Sequence, residues 1–136
     1  CARAGVTLIH QEGDKAFYRP SNDTIVLPIM SQFAETAEYY STAFHEMVHS
    51  TGHSSRLNRL TQTAHFGNEE YSKEELVAEI GASALVNHAG LETEKSFRNS
   101  TAYVQSWLNV LKNDKRFIVS ASGKAEKAVE LILAGA

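Results

Sequence analysis

The sequence has 136 residues, 43% of them hydrophobic and 21% charged, and carries a formal net charge of −3. This length suffices for one buried core without covalent staples, and the acidic balance argues against a strongly basic nucleic-acid-binding domain. With a single cysteine, Cys1, and no apolar run of roughly 20 residues, the chain forms no intrachain disulfide or Cys-rich zinc knuckle, and we expect a cytoplasmic protein without membrane contact.

The first part of the chain predicts a small antiparallel β-sheet. Residues 6–10, 16–19 and 24–27 are short runs rich in β-branched and aromatic side chains. Turn signals at Gly13-Asp14 and at residues 20–23 separate these runs. We therefore expect a three-stranded meander.

The rest of the sequence predicts helices, and hence an α+β fold with a helical C-terminal half. Apolar residues at spacings of three and four predict a helix from the mid-thirties to about Thr51, with Gly52 as its C′ residue. Ser72, with Glu75 three residues later, has the spacing of a capping box and predicts the start of a second helix. That helix should end near residues 87–90. The remaining predicted helical segments are Ala102 to about Lys112 and Phe117 to about Leu133, the latter interrupted near Ser122-Gly123.

One motif within the first predicted helix carries recognisable chemistry. His45-Glu46-Met47-Val48-His49 is an HExxH sequence. Residues i and i+4 lie on one helix face, about 6 Å apart along the axis, so both imidazoles can point at one metal ion. Glu46 is rotated about 100° away and is a candidate general base for a metal-activated water. The motif predicts His45 and His49 as metal ligands and Glu46 as the catalytic residue, with one Zn²⁺ as the expected ion and another divalent metal as the alternative.

A catalytic zinc site needs a third protein ligand. Residues 75–82 resemble the ExxxD segment of gluzincins, with Glu79 in place of Asp. The resemblance implies Glu75 as the ligand, with Glu79 orienting a motif histidine by a hydrogen bond. Direct ligation by Glu79 stays open, as does ligation by His53, although HExxHxxGH is two residues shorter than the metzincin pattern. His65 or His88 could also reach the site, although both, like His10, are expected to be ordinary surface or packed residues.

Two further points stay open at this level. The glutamates of the second helix, Glu74 included, could instead be helix-capping or solvated charges. A peptidase also requires a group that stabilises an oxyanion, and the sequence does not choose among its candidates. Those candidates are Tyr39, Tyr40, His53, Arg56 and Tyr103.

The likeness to known proteins extends well beyond the motif. Four segments resemble the metallopeptidase domain of ArdC-type antirestriction proteins, which also occurs in TraC-type plasmid primases and in polyvalent proteins. The resemblance implies a zincin-like fold, with the sheet packed on the HExxH helix. It also implies that residues 1–136 form a single domain of a longer protein. The resembling segments are residues 39–42, 49–59, 71–82 and 103–115.

The resemblance also implies a function. It predicts a zinc metallopeptidase domain that acts on a protein or peptide, within a protein that protects incoming DNA. In that family an N-terminal domain binds single-stranded DNA, and the resemblance implies that such a domain lies outside this sequence. One alternative is a metal-binding zincin scaffold that supports DNA protection or partner binding without proteolysis. The other is a helical DNA-binding or regulatory module with an accidental HExxH.

Overall fold

Three short strands and four helices form an α+β fold in the computed structural model, which describes residues 5–60 and 69–134. None of the helices in these two ranges is both long and apolar enough to cross a membrane. The elements are β1 (Thr7–Gln11), β2 (Phe17–Arg19), β3 (Thr24–Pro28), α1 (Thr36–Thr51), α2 (Glu69–His88), α3 (Glu94–Val110) and α4 (Lys115–Ala134).

The sheet is mixed, so the predicted antiparallel meander is wrong. The strand order is β1-β3-β2, with β1 parallel and β2 antiparallel to β3. Every residue of β3 is buried, whereas every residue of β1 is exposed, so the apolar strand occupies the centre and β1 an edge. Residues 12–23 supply the crossover of roughly a dozen residues that a parallel pair requires.

Helix α1 spans the predicted residues, but its terminal glycine has a different role from the expected one. Gly52 caps the helix in a right-handed conformation, with φ of −79°. A Cβ at Gly52 would lie 2.9 Å from Leu60 Cγ and 3.1 Å from Arg59 Nη2. Glycine is therefore required because the following chain folds closely against the helix end, and not because a left-handed C′ residue is needed.

The predicted start of α2 is wrong by three residues. The helix begins at Glu69, and Ser72 is buried within it, so Ser72 and Glu75 form no capping box. Acidic residues in the first turn, Glu69 and Glu70, favour the earlier start because they complement the helix dipole. Glu75 is thereby left to make contacts with α1. The predicted C-terminal end is confirmed at His88.

The last two helices are longer than predicted. Helix α3 starts at Glu94, eight residues early, because Thr93 and Ser96 form a reciprocal capping box. Helix α4 runs unbroken through Gly123, where no interruption occurs. Ala121 and Ala125 on either side are buried in the helical core, and their packing outweighs the low helix propensity of a single glycine.

Helix α1 lies between two apolar clusters. One cluster joins it to the sheet through residues such as Ile25 and Leu27, and the other joins it to α2 and α4 through Val48 and Leu76. A Cβ on Gly81 of α2 would lie 2.8 Å from Val48 Cγ2, so this glycine allows α1 and α2 to approach closely. This close approach brings the HExxH face of α1 against the glutamates of α2.

Candidate metal centre

Helices α1 and α2 bring both motif histidines and Glu75 to one point. His45 Nε2 lies 3.0 Å from Glu75 Oε2, and His49 Nε2 lies 3.0 Å from Glu75 Oε1. The two Nε2 atoms are 3.1 Å apart. The three side chains are 12–18% exposed, so they converge at the edge of a cleft.

This donor set fits a divalent metal ion. Tetrahedral bonds of about 2.0–2.1 Å place ligand atoms roughly 3.3 Å apart, close to the spacing of these three groups. Two imidazoles and one carboxylate are the ligands of a catalytic zinc site of the His₂Glu type, which leaves a coordination position open. Within the described residues, His45, His49 and Glu75 could therefore hold such an ion.

The outer nitrogens of the two imidazoles contact two further carboxylates. His45 Nδ1 donates to Glu79 Oε1 at 3.2 Å, and His49 Nδ1 donates to Glu74 Oε2 at 2.9 Å. A proton held on each Nδ1 leaves each Nε2 lone pair directed at the shared point. Glu79 thus contacts the nitrogen of His45 that faces away from Glu75.

Glu74 is itself held by an arginine from the segment that follows α1. Arg59 Nε lies 3.0 Å from Glu74 Oε1, and Arg59 Nη2 lies 3.0 Å from Glu74 Oε2. The same guanidinium donates to the Val48 carbonyl and to Thr51 Oγ1, both at 2.8 Å. A chain of contacts therefore connects the last turn of α1, through Arg59 and Glu74, to the ring of His49.

Glu46 lies beside this cluster and is 7% exposed. Its Oε1 is 4.0 Å from His45 Nε2, and its buried Oε2 has no hydrogen-bond partner among the described residues. Burial raises the pKa of Glu46 above its usual value, although the neighbouring histidines oppose this effect. The arrangement places a carboxylate that readily accepts a proton next to the converging ligand atoms.

The carboxylates stabilise positive charge at the centre. Burial alone would lower both histidine pKa values, but Glu75 and Glu79 raise the pKa of His45 to about 9. Glu74 and Glu75 likewise raise the pKa of His49 to about 10. This field favours cationic charge at this point, whether it is carried by protons on the rings or by a metal ion between them.

The other candidate ligands are not brought to the centre. His53 lies beyond the end of α1, where its Nδ1 bonds with Ser55 Oγ at 2.8 Å. His88 is exposed at the far end of α2, and His65 lies outside the described residues. Neither His53 nor His88 belongs to the groups of converging ligand atoms in the described chain.

The structure also separates the candidates for oxyanion stabilisation. Tyr39 is buried and its hydroxyl lies 2.7 Å from His10 Nε2. Tyr40 packs in the cluster between α1 and the sheet, and Arg56 pairs with an aspartate of the sheet region. Tyr103 lies on the wall of the cavity that also contains the HExxH residues, and it is 58% exposed. Tyr103 is thus the candidate that faces the cleft.

Sequence reasoning missed three residues at the centre. The sequence predicts Glu74 only as a capping or solvated charge and gives no sign of Arg59, whereas Glu74 contacts both His49 and Arg59 in the structure. Tyr71 forms a hydrogen bond with Glu75 and packs edge-on against Trp107. Burial and the Glu75 carboxylate raise the pKa of Tyr71 to about 12. Its position one helical turn before Glu75 was the available signal.

Comparison with known proteins identifies the class. The chain belongs to the zincin-like metallopeptidase family, whose model matches residues 1–124. The predicted zincin-like α+β fold and the resemblance to ArdC-type domains are thereby confirmed.

Particular relatives are a primase and an antirestriction protein. The chain is 46% identical over 134 residues to the DNA primase TraC of Escherichia coli, covering 98% of this chain and 12% of TraC. It superposes on the Mn(II)-bound crystal structure of the antirestriction protein ArdC from plasmid R388, with a TM-score of 0.79, 39% identity, and coverage of 98% of this chain and 49% of ArdC. The metal-free ArdC structure gives a TM-score of 0.75 at the same identity, with coverage of 98% and 47%. The chain therefore spans about half of ArdC and a small part of TraC.

Proposed function

We propose that the chain is a divalent-metal-dependent peptidase domain that hydrolyses peptide bonds, with His45, His49 and Glu75 as the metal ligands. The observation that carries this proposal is the convergence of the two imidazoles on one carboxylate: the Nε2 atoms lie 3.1 Å apart, and each lies 3.0 Å from one oxygen of Glu75. A buried carboxylate without a hydrogen-bond partner, that of Glu46, lies directly beside them. Membership of the zincin-like metallopeptidase family supports the same assignment.

Each carboxylate has a distinct role in this proposal. A bound divalent ion would supply Lewis acidity toward a peptide carbonyl and toward water. Glu46 accepts a proton from the attacking water and delivers it to the amine that leaves, a role to which its raised pKa is suited. Glu79 and Glu74 hold the rings of His45 and His49 in the orientation that presents each Nε2.

The identity of the ion and the wider role are also proposals. We propose one Zn²⁺ because the donor set of two imidazoles and one carboxylate suits zinc, and the Mn(II)-bound ArdC structure makes Mn²⁺ the alternative. The names of ArdC and TraC refer to antirestriction and to priming of DNA. On that basis we place the activity in the cytoplasm, within a protein that handles transferred DNA.

The test is hydrolysis of an unfolded protein, such as casein, by the purified chain loaded with Zn²⁺ or Mn²⁺. Glu46→Gln should lower the hydrolysis rate by about 10²–10⁴-fold and should still bind one ion. His49→Ala should lose the ion, as measured by elemental analysis after dialysis. Glu126→Gln, at an exposed position on α4, is the matched control and should match the wild-type chain in both measurements.

A specific observation favours a second candidate function. None of the relatives named above is described as a protease; their names concern DNA. In this alternative the metal centre stabilises a scaffold that supports DNA protection or partner binding. Two results together would favour the scaffold over the peptidase. The chain would bind one ion in a His49-dependent way without cleaving protein, and Glu46→Gln would keep the biological activity.

A further inference from the structure

A groove of about 540 Å³ runs between α1 and α3 and ends at the candidate metal centre. His45 and Glu46 line the end at the centre. Glu35, Glu38 and Lys95 line the same groove where α1 and α3 begin. The groove therefore connects the catalytic carboxylate to a charged cluster at the start of both helices.

Apart from the rings of Phe33 and Tyr103, the walls of the groove between its two ends are built from small and polar side chains. On each helix the lining residues recur at spacings of three and four, so one face of α1 and one face of α3 look across the open space. No residue of α3 is buried, and the two faces are thus separated instead of interdigitated. Hydroxyl and amide groups suit the main chain of a bound polypeptide. The wall residues are Ala37, Ser41 and Thr42 on α1 and Ser96, Asn99 and Ser100 on α3.

The length of the groove determines how many residues of a bound polypeptide separate Glu38 from a peptide bond at the metal centre. Glu38 precedes His45 by two helical turns, which is about 10 Å along the helix axis. An extended polypeptide advances about 3.3 Å per residue. A side chain near Glu38 would therefore lie about three residues from a peptide bond held beside His45 and Glu46.

The charges in the groove select against nucleic acid. Lys95 Nζ lies 3.7 Å from Glu35 Oε1 and 3.4 Å from Glu38 Oε1, and all three side chains are 36% or more exposed. At the other end Glu46 and Glu79 lie beside His45. Where the helices begin, two carboxylates face one ammonium, so this end of the groove attracts cations and repels phosphate groups.

A second observation points to a ligand in this groove. The Glu46 side chain is 9% exposed, and its Oε2 has no hydrogen-bond partner in the described chain. A buried polar atom without a partner costs free energy unless a ligand or water satisfies it. Glu46 lines the same cavity as the acidic cluster at the start of the groove, so a group bound in the groove could supply the missing partner.

We propose that this groove binds an extended, basic segment of a polypeptide, with a lysine or arginine side chain at Glu35 and Glu38, about three residues from the bond that is cleaved. The inference rests on the proposed peptidase function and adds the substrate class. Lys95 contacts both glutamates in the free protein, so an incoming lysine or arginine side chain has to displace it.

The test is a set of short internally quenched peptides that differ only in having Lys, Gln or Glu at each position around the cleaved bond. For the metal-loaded chain, kcat/KM should be highest for the peptide that has Lys three residues from the cleaved bond. Glu35→Lys/Glu38→Lys should lower kcat/KM for that peptide about tenfold and leave the Gln peptide nearly unchanged. Lys95→Glu should increase the preference for Lys.

A matched control has the same net charge as the groove variant. Glu126→Lys/Glu130→Lys makes the same change on exposed positions of α4, outside the groove, and should retain the wild-type preference. An equal loss of preference in both double variants would overturn the inference, because it would reveal a general charge effect. A preference unchanged by Glu35→Lys/Glu38→Lys would overturn it as well.

Binding measurements separate this inference from the proposed function. Anisotropy of a labelled basic peptide on the Glu46→Gln chain reports occupancy of the groove without cleavage. If that binding weakens with Glu35→Lys/Glu38→Lys while the wild-type chain cleaves nothing, the groove inference stands and the peptidase proposal fails. If the chain cleaves peptides in a Glu46-dependent way but shows no preference for Lys, the peptidase proposal stands and the groove inference fails. A labelled oligonucleotide whose binding is lost with Lys95→Glu would overturn the inference in favour of nucleic acid.

Discussion

Two arginines, three residues apart in the segment after α1, make similar contacts in different parts of the molecule. Arg56 donates two hydrogen bonds to Asp23, at 2.9 and 2.7 Å, and one to the carbonyl of Ser50 at 2.9 Å. Arg59 donates two to Glu74, both at 3.0 Å, and one to a carbonyl of the last turn of α1 at 2.8 Å. Their side chains are 8% and 9% exposed. Each arginine thus adds a hydrogen bond to a carbonyl in the last turn of α1, where carbonyls lack the full set of partners found inside a helix.

The difference lies in what else each acid contacts. Asp23 precedes β3 and accepts a hydrogen bond from Tyr18 at 2.6 Å, so Arg56 fastens the sheet to the end of α1. Glu74 accepts a hydrogen bond from His49, so Arg59 fastens α2 and orients a proposed metal ligand. The two ion pairs have similar geometry but different roles. Arg56–Asp23 stabilises the fold, whereas Arg59–Glu74 also orients the candidate metal centre. Each serves as the control for the other.

The largest expected effect comes from removing either guanidinium. Arg59→Met should lower the free energy of unfolding by about 3 kcal/mol, because the buried charge of Glu74 loses its guanidinium and keeps only the contact with His49. Arg56→Met should cost somewhat less, because Asp23 is 24% exposed whereas Glu74 is 13% exposed. Metal affinity should fall about 10–100-fold for Arg59→Met and stay nearly unchanged for Arg56→Met. Chemical denaturation and metal titration by calorimetry measure the two quantities.

Arg59→Lys separates charge from geometry. Lysine keeps the charge beside Glu74 but lacks the planar fork, so stability should recover more than metal affinity does. Equal losses of metal affinity in the Arg56 and Arg59 variants would contradict the division of roles. That result would mean that both pairs act on the metal centre only by stabilising the fold.

The helices were predictable where a local pattern determines them. The apolar spacing of α1 predicts its residues, because a helix that packs on both a sheet and other helices needs apolar residues on both sides. The pairing of β1 was not predictable from its neighbours in sequence. The parallel pairing of β1 follows from the central position of β3 in the sheet. β3 takes the centre because it is the most apolar of the three strands, a comparison that no single strand reveals. The early start of α3 likewise depends on Thr93 and Ser96, a less common capping pair than the Ser-x-x-Glu spacing that wrongly predicts a cap at Ser72.

The candidate site divides in the same way. A spacing of four residues on one helix is enough to predict that His45 and His49 share a face, and that Glu75 and Glu79 do so on α2. The contact between Glu74 and His49 depends on the rotation at which α2 packs on α1, which Gly81 and Val48 determine across the interface. Arg59 reaches Glu74 because the chain turns back tightly at Gly52. Contacts of this kind require the tertiary structure.

The second expected effect concerns the glycine beneath Arg59. Gly52→Ala places a Cβ 2.9 Å from Leu60 Cγ and 3.1 Å from Arg59 Nη2, so both side chains must shift. We expect a loss of about 1–3 kcal/mol in the free energy of unfolding. Metal affinity should fall as well, because Arg59 and then Glu74 are displaced. An alanine variant with wild-type metal affinity would show that the position of Arg59 does not matter to the centre.

The third expected effect is a pH dependence of the free energy of unfolding that comes from the Arg56–Asp23 ion pair. Hydrogen bonds from Arg56 hold the pKa of Asp23 below its usual value of 3.8, although burial opposes this. The pair therefore contributes its full stability above pH 3.8 and loses it as pH falls through the lower folded-state pKa. The stability difference between the wild type and Asp23→Asn should shrink over that range, as measured by urea denaturation. In an Arg56→Met background the same substitution should show a much weaker pH dependence.

The smallest effect comes from a glycine that contacts nothing. Gly123 lies in the interior of α4, and a Cβ there would meet no atom within 4 Å. Gly123→Ala should therefore raise the free energy of unfolding by about 0.5–1 kcal/mol, because alanine loses less backbone entropy in a helix. Thermal denaturation should detect this gain, and metal affinity should not change. Since the same substitution at Gly52 should destabilise, opposite signs at the two glycines would establish that the close approach of Arg59, and not helix propensity, determines the residue at position 52.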